Sequence, residues 1–336
     1  MGGPRARVRP TNPGEPLMQA VRFERYGAAD VLHLADVDEP VPGAGEVKVR
    51  VHAASLNPLD WKIRAGHLKL VPAGRPPRGL GSDFAGTIVA VGGGAQGRHN
   101  GERVFGTVSP FARNGSFAEY VVVRSDAVAP MPDAVEFATA AALPVAAGSA
   151  LQALVDHGHV RAGLRVLVTG AAGGVGHYAI QVAAHYGAFV VGVCGTRNVE
   201  FVRALGAHEV IDYTRDDFTR RADRFDVVFD AASASSFLAA RAVLAEDGLY
   251  ISTAGTTAAV AGTVLGAILG RLTSRQRALP FTLKTGAAQW RRLAELVVAG
   301  ALRPHVEREI TLAEVPAALG AMEAGHGRGK TVVRII

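Results

Sequence analysis

Residues 165–176 read RVLVTGAAGGVG, an apolar β-branched run that passes straight into a glycine cluster and then into a helical pattern. Val166, Leu167 and Val168 predict a buried strand, and Gly173, Gly174 and Gly176 let the main chain turn sharply and approach a pyrophosphate. The helix that follows offers free N–H groups and the positive end of its dipole. Its pattern is legible in Val175, Ala179, Val182, Ala183 and Tyr186, with Gly187 where a C-terminal cap belongs. Residues 189–193 then supply a second strand and close a βαβ unit. Ala171 stands where the GxGxxG fingerprint usually has its first glycine, an exchange small enough to leave the phosphate cradle intact.

The end of that second strand bears on which dinucleotide fits. An NAD site carries Asp or Glu about 20 residues after the fingerprint to bind the ribose 2′-hydroxyl, whereas here the chain reads Cys194, Gly195, Thr196, Arg197, Asn198. Thr196 is able to donate a hydrogen bond and Arg197 to neutralise a 2′-phosphate with a planar fork of donors, so NADP(H) is read over NAD(H). The competing reading makes Arg197 a solvated helix-start residue and Asn198 an N-cap. Tyr213, closing the third strand EVIDY, is a candidate for the adenine or phosphate edge.

The rest of the composition fits a soluble two-domain enzyme: 336 residues, 49 % hydrophobic and 20 % charged. A single cysteine, Cys194, permits neither an intramolecular disulfide nor a cysteine-rich metal site, and points to a reducing, cytoplasmic setting. No stretch approaches the ~18 apolar residues of a membrane span, and residues 1–16 lack the apolar core of a secretory signal. Arg5, Arg7 and Arg9 against Glu15 give this flexible arm two of the chain's six net positive charges, and aromatics are only 6 %. The remaining balance does not suggest a nucleic-acid partner.

Residues 18–140 alternate short β-like runs (VKVRVHAA, AGTIVAVG, ERVFGTV, FAEYVVV) with Gly and Pro turns. Beyond about 148 strands and helices alternate, with strands expected at 165–169, 189–193, 209–213, 225–230 and 248–253, which predicts a doubly wound parallel sheet. A helix over 287–299 and a strand over 331–335 close the chain. The fold class is α/β, a β domain at 18–140 completed by 285–336, and a Rossmann domain at 141–284.

From Met18 onward the chain resembles the zinc-free branch of the medium-chain dehydrogenase/reductase superfamily, the quinone oxidoreductase-like and oxoene reductase-like enzymes. The resemblance is carried by MQAVRFERYG, PGAGEVKVRVHAASLNPLDWKIRAG, GSDFAGTIVAVG, GSFAEYVVV, ALPVAAGSALQAL, VLVTGAAGGVG, GTRNVEFVRALGAHEVIDY and GHGRGKTVV, in that order. It implies a GroES-like catalytic domain joined to the Rossmann domain, with the nicotinamide of NADP(H) in the cleft between them, and residues 1–17 as an extension outside the fold. It also implies a homodimer, with its contact at the strand edge near 248–253. Where zinc-dependent relatives carry a His and Glu pair this chain has Ser82 and Asp83, and LNPLD replaces their first cysteine. The Cys and His ligands that catalytic zinc needs are therefore missing.

Without a Lewis acid, hydride transfer suits an electron-poor acceptor whose conjugation spreads the charge, namely a quinone or an α,β-unsaturated ketone. Asn57 matches the family position beside the nicotinamide, or is a turn residue before Pro58. Ser149 matches a position against the nicotinamide ribose, and Lys330 a basic position near the cofactor, or a surface lysine. Val175, Gly195, Gly255 and Phe281 complete the expected cofactor contacts. His67 stands where many relatives have Tyr and is the candidate proton donor, or an exposed loop histidine. Lys62 is a further catalytic candidate, or a solvated charge. Asp60, Trp61, Phe111 and Phe281 are the pocket candidates, Asp60 being equally readable as a capping residue.

Residues 256–279 are unusually apolar, and Val260, Val264, Ile268 and Leu272 predict a helix that covers a pocket, forms a subunit contact or packs on its own domain, with adsorption to a membrane surface a weaker reading. Arg271, Arg275 and Arg277 form its polar end. That segment favours a second reading, a biosynthetic enoyl or ketone reductase acting on one bulky intermediate. The absent Tyr near His67 favours a third, a non-catalytic NADPH-binding protein.

Overall fold

In the computed structural model the described residues are 6–7, 16–69, 75–110, 112–253, 275–325 and 327–336. Six strands form one parallel sheet in the spatial order Glu209–Asp212, Phe189–Cys194, Arg165–Thr169, Phe225–Asp230, Leu244–Ser252, Arg277–Pro280. Its strands are apolar on both faces because both are covered: Val166 and Val168 point into one core cluster, Leu167 into another. The chain order reverses between Arg165–Thr169 and Phe225–Asp230, and ligands of such sheets bind at the carboxyl ends of the strands beside that reversal.

The second layer is a seven-stranded sheet built around Glu46–Ser55 and Asp83–Val91. In Glu46–Ser55 Val47, Val49 and Val51 are fully buried, while Lys48, Arg50 and His52 alternate to the other face. Val306–Thr311 and Lys330–Arg334, from the end of the chain, complete this sheet. One core cluster is continuous across both sheets, joining Ala53, Ala85 and Phe105 to Val166, Val168 and Trp290. Trp290, on helix Ala287–Val298, donates its indole N–H to the Ala127 carbonyl at 2.9 Å.

Several expectations change here. Leu17 already belongs to strand Leu17–Phe23, and Ala6–Arg7 pairs in parallel with Ala35 and Asp36, so the expected arm contributes to a four-stranded sheet. Leu244–Ser252, expected as an exposed dimer edge, is an inner strand, because Arg277–Pro280 pairs along it. That same strand takes the tail of the expected helix 256–279: Arg277 opens a strand, and Arg275 pairs with Asp247 at 2.7 Å. Gly255 and residues 256–274 lie outside the described residues, as does Phe111.

Candidate functional site

Thr169 ends the first strand of the parallel sheet, and the glycine loop that follows turns into helix Gly176–His185. A Cβ on Gly176 would land on the Gly170 carbonyl oxygen, so the helix start packs onto the loop only with glycine there. At Gly174 a Cβ would lie 3.5 Å from both the Gly329 oxygen and the Lys330 Cδ. The C-terminal loop thus runs over the cradle, and Gly329 N–H donates to Ala172 O at 2.8 Å. Val175 is the residue before the helix, as expected of a phosphate-binding turn. A glycine-lined turn at a helix start, lidded by a loop bearing Lys330, fits a dinucleotide pyrophosphate.

Beneath the loop, Asp230 ends the neighbouring strand and is fully buried. Its carboxylate accepts from Thr169 Oγ1 at 2.6 Å, Tyr250 Oη at 2.8 Å and the Ala232, Ala234 and Ser235 amides at 3.0–3.2 Å. Sequence reading overlooked this residue; a lone acid ending an apolar strand has no periodicity to mark it.

The residues expected at the adenosine end lie at the carboxyl end of Phe189–Cys194. Tyr213, exposed, lies against Gly195: its hydroxyl would be 3.1 Å from a Cβ there. Arg197 is exposed and makes no ion pair among the described residues. Thr196, however, gives its proton to Asp212 Oδ2 at 2.6 Å, and Asp212 also accepts from the Thr214 amide and hydroxyl. These hydroxyl bonds hold the Asp212 carboxyl below its usual range. The acid absent after the second strand is supplied by its neighbour strand, already saturated. Asn198 accepts from Arg328 Nε at 3.1 Å rather than capping the helix Val199–Ala204 with its side chain.

At the other end lies a buried polar cluster. Lys330, 3 % exposed and so no surface lysine, donates from Nζ to Asn57 Oδ1 at 2.7 Å and Leu56 O at 2.8 Å, with Asp83 Oδ2 at 3.6 Å. Asn57 Nδ2 donates to Asp83 Oδ2 at 2.8 Å, Ser55 Oγ to the same oxygen at 3.0 Å, and Val145 N–H to Asp83 Oδ1 at 2.9 Å. Asp60 accepts the Asn57 N–H at 2.7 Å, the capping role, and is buried. Burial, and secondarily the nearby Asp83 charge, pushes the Asp60 carboxyl up to about 7. Burial likewise lowers Lys330, opposed by Asp83. Asn57, Asp60 and Lys330 therefore come together, joined by Asp83.

The other candidates are more dispersed. His67 is exposed, its ring edge-on to Trp61 at 5.5 Å, and Lys62 Nζ lies 5.6 Å over the Trp61 ring. Burial lowers the Lys62 ammonium. Ser149 is buried on helix Pro144–Leu151. Phe281 packs edge-on against His157 at 5.9 Å.

Residues 43–133 match the alcohol dehydrogenase GroES-like domain family and residues 205–333 the zinc-binding dehydrogenase family. A chloroplastic quinone-oxidoreductase homolog of Spinacia oleracea is 32 % identical over 94 % of this chain and 98 % of its own. The chain belongs to the quinone oxidoreductase-like branch of the medium-chain dehydrogenase/reductase superfamily. Within this superfamily, a mitochondrial NAD(P)H oxidoreductase of Mus musculus is 32 % identical over 95 % of this chain and 90 % of its own. The quinone oxidoreductase structure from Coxiella burnetii superposes with a TM-score of 0.87, at 31 % identity, covering 96 % of this chain and all of that one. The medium-chain architecture, a GroES-like domain with a Rossmann sheet, is thus that of this oxidoreductase, and a nicotinamide cofactor goes with it. Among the described residues no helix is long and apolar enough to cross a membrane.

Proposed function

We propose that the protein transfers hydride from NADPH to a quinone or an α,β-unsaturated carbonyl compound. The observation that carries this reading is the Lys330–Asn57–Asp83 cluster beside the glycine loop. Asp83 has every oxygen engaged by Ser55, Asn57, Val145 or Lys330. It serves to hold a rigid wall rather than to bind an electrophile. Bound nicotinamide supplies the hydride from its C4. The chain's share is orientation and exclusion of water: Gly173, Gly174 and Val175 hold the pyrophosphate, Lys330 fixes Asn57 at the nicotinamide end with Ser149, and Gly195, Arg197 and Tyr213 hold the adenosine 2′-phosphate. Asp60, Trp61 and Phe281 border the substrate, and His67 with Lys62 supplies or relays the proton.

The proposed domains are 18–140 with 285–336, which Leu17 and Ala6–Arg7 join by strand pairing, and 141–284, in a cytoplasmic homodimer with no nucleic-acid partner. Loss of NADPH absorbance with a panel of quinones, enones and simple aldehydes tests it. Turnover confined to quinones or enones is expected. Turnover of aldehydes alone, or retained NADPH binding with no turnover of any acceptor, would overturn it.

A further inference from the structure

Two arginines, Arg197 and Arg328, meet at the turn Thr196–Asn198. Arg203 is paired with Glu200 at 2.5 Å, Arg215 with Asp212 at 3.6 Å, and Arg221 with Asp223 at 2.8 Å and Asp216 at 2.9 Å. Arg197 and the Arg328 guanidinium have no carboxylate partner among the described residues. Arg328 is 130 positions further along the chain than Asn198, yet its Nε donates to Asn198 Oδ1 at 3.1 Å and its Nη2 to the Arg197 carbonyl at 3.3 Å. The guanidinium lies 5.1 Å over the Phe201 ring, which fixes its plane. Glu307 accepts only the Arg328 backbone N–H, at 2.9 Å. Of five guanidinium N–H donors, two are used, and the others are held in place at the turn.

We propose that Arg328 is a second arginine for the 2′-phosphate, so that this phosphate is recognised jointly by Arg197 and by a residue delivered from the C-terminal loop. The inference rests on the NADPH reading above. It follows also that three consecutive residues touch three stations of one site: Arg328 the Asn198 turn, Gly329 the Ala172 carbonyl of the glycine loop, Lys330 the Asn57 amide. Thr196, whose proton goes to Asp212, leaves the donating role to the two arginines.

Calorimetric titration of the full-length protein with 2′,5′-ADP and with 5′-AMP reads this without turnover. Arg328→Gln is expected to weaken 2′,5′-ADP roughly 10- to 100-fold, the range of a charge-assisted hydrogen bond, and to leave 5′-AMP within about twofold. Arg328→Lys should recover part of the loss. Equal weakening of both ligands, or of neither while Arg197→Glu loses 2′,5′-ADP, would overturn the role of Arg328 alone. Wild-type protein that binds 2′,5′-ADP no better than 5′-AMP would overturn the NADPH reading itself, and this inference with it.

Discussion

Asp60 and Lys330 share one buried cluster and respond to pH in linked ways. The folded-state carboxyl of Asp60 titrates at about 7 instead of 3.8, first because it is desolvated and next because Asp83 is near. A folded pKa above the unfolded one contributes stability that is complete below about 4 and is lost as pH rises through 7. Asp60→Asn, which keeps an acceptor for the Asn57 N–H, should therefore resist urea better than wild type at pH 9, by at most about 4 kcal/mol, and by less than half of that at pH 5. Urea denaturation at the two pH values checks it. Lys330→Met leaves the Asp83 carboxylate buried beside dipoles alone and should cost about 3–5 kcal/mol. Adding Asp83→Asn should restore much of that, read as a positive coupling in the double-mutant cycle. Lys330, Asn57 and Asp60 could be named from the sequence because they sit in motifs. Their mutual contacts could not, since Asn57 and Lys330 are 273 positions apart.

Among elements, the glycine loop was legible because strand, turn and helix each obey a local rule. Gly176 is its most constrained point. Gly176→Ala would press a methyl onto the Gly170 carbonyl, and about tenfold or weaker NADPH binding is expected with about 1–3 kcal/mol of lost stability. Fluorescence titration and thermal melts check the two effects. Arg277–Pro280 was illegible for the opposite reason: four residues, RALP, with an arginine and a proline and partial exposure throughout, carry no strand pattern. Its place in the sheet comes from pairing with Leu249–Ser252, and that pairing moves the open edge away from Leu244–Ser252. Tyr213 stood out in the sequence because it follows an apolar strand, at the carboxyl end of the sheet. Asp212, one residue earlier, was not, because only the fold brings it to Thr196.

Across the whole molecule, helix Gly176–His185 is clasped to the segment that leads into the other sheet. Gln181 exchanges two hydrogen bonds with Arg303, at 2.8 and 3.2 Å, and His305 N–H donates to His177 Nε2 at 3.4 Å. His177 Nδ1 donates to Gly173 O at 2.9 Å, so its partners call for the neutral ring. Burial accordingly pulls its pKa down to about 4. A histidine depressed in the fold leaves stability intact above the unfolded value of 6.5, and that stability is lost as pH falls from there toward 4. Roughly 3 kcal/mol of acid sensitivity is expected from this group, and His177→Gln should flatten the stability profile between pH 6.5 and 4. The overall two-domain fold was legible because motif order is a property of the whole chain. The clasp was not, since it joins positions 128 apart through a ring buried in neither motif's pattern.

Hydride transfer to a conjugated acceptor leaves its mark on a particular product carbon. The most direct measurement is turnover of an enone with NADPH carrying deuterium at the transferable C4 position, followed by mass spectrometry and NMR of the product. One deuterium on the β-carbon of a saturated ketone is expected. Deuterium on the carbonyl carbon of an allylic alcohol, or an unlabelled product, would contradict it.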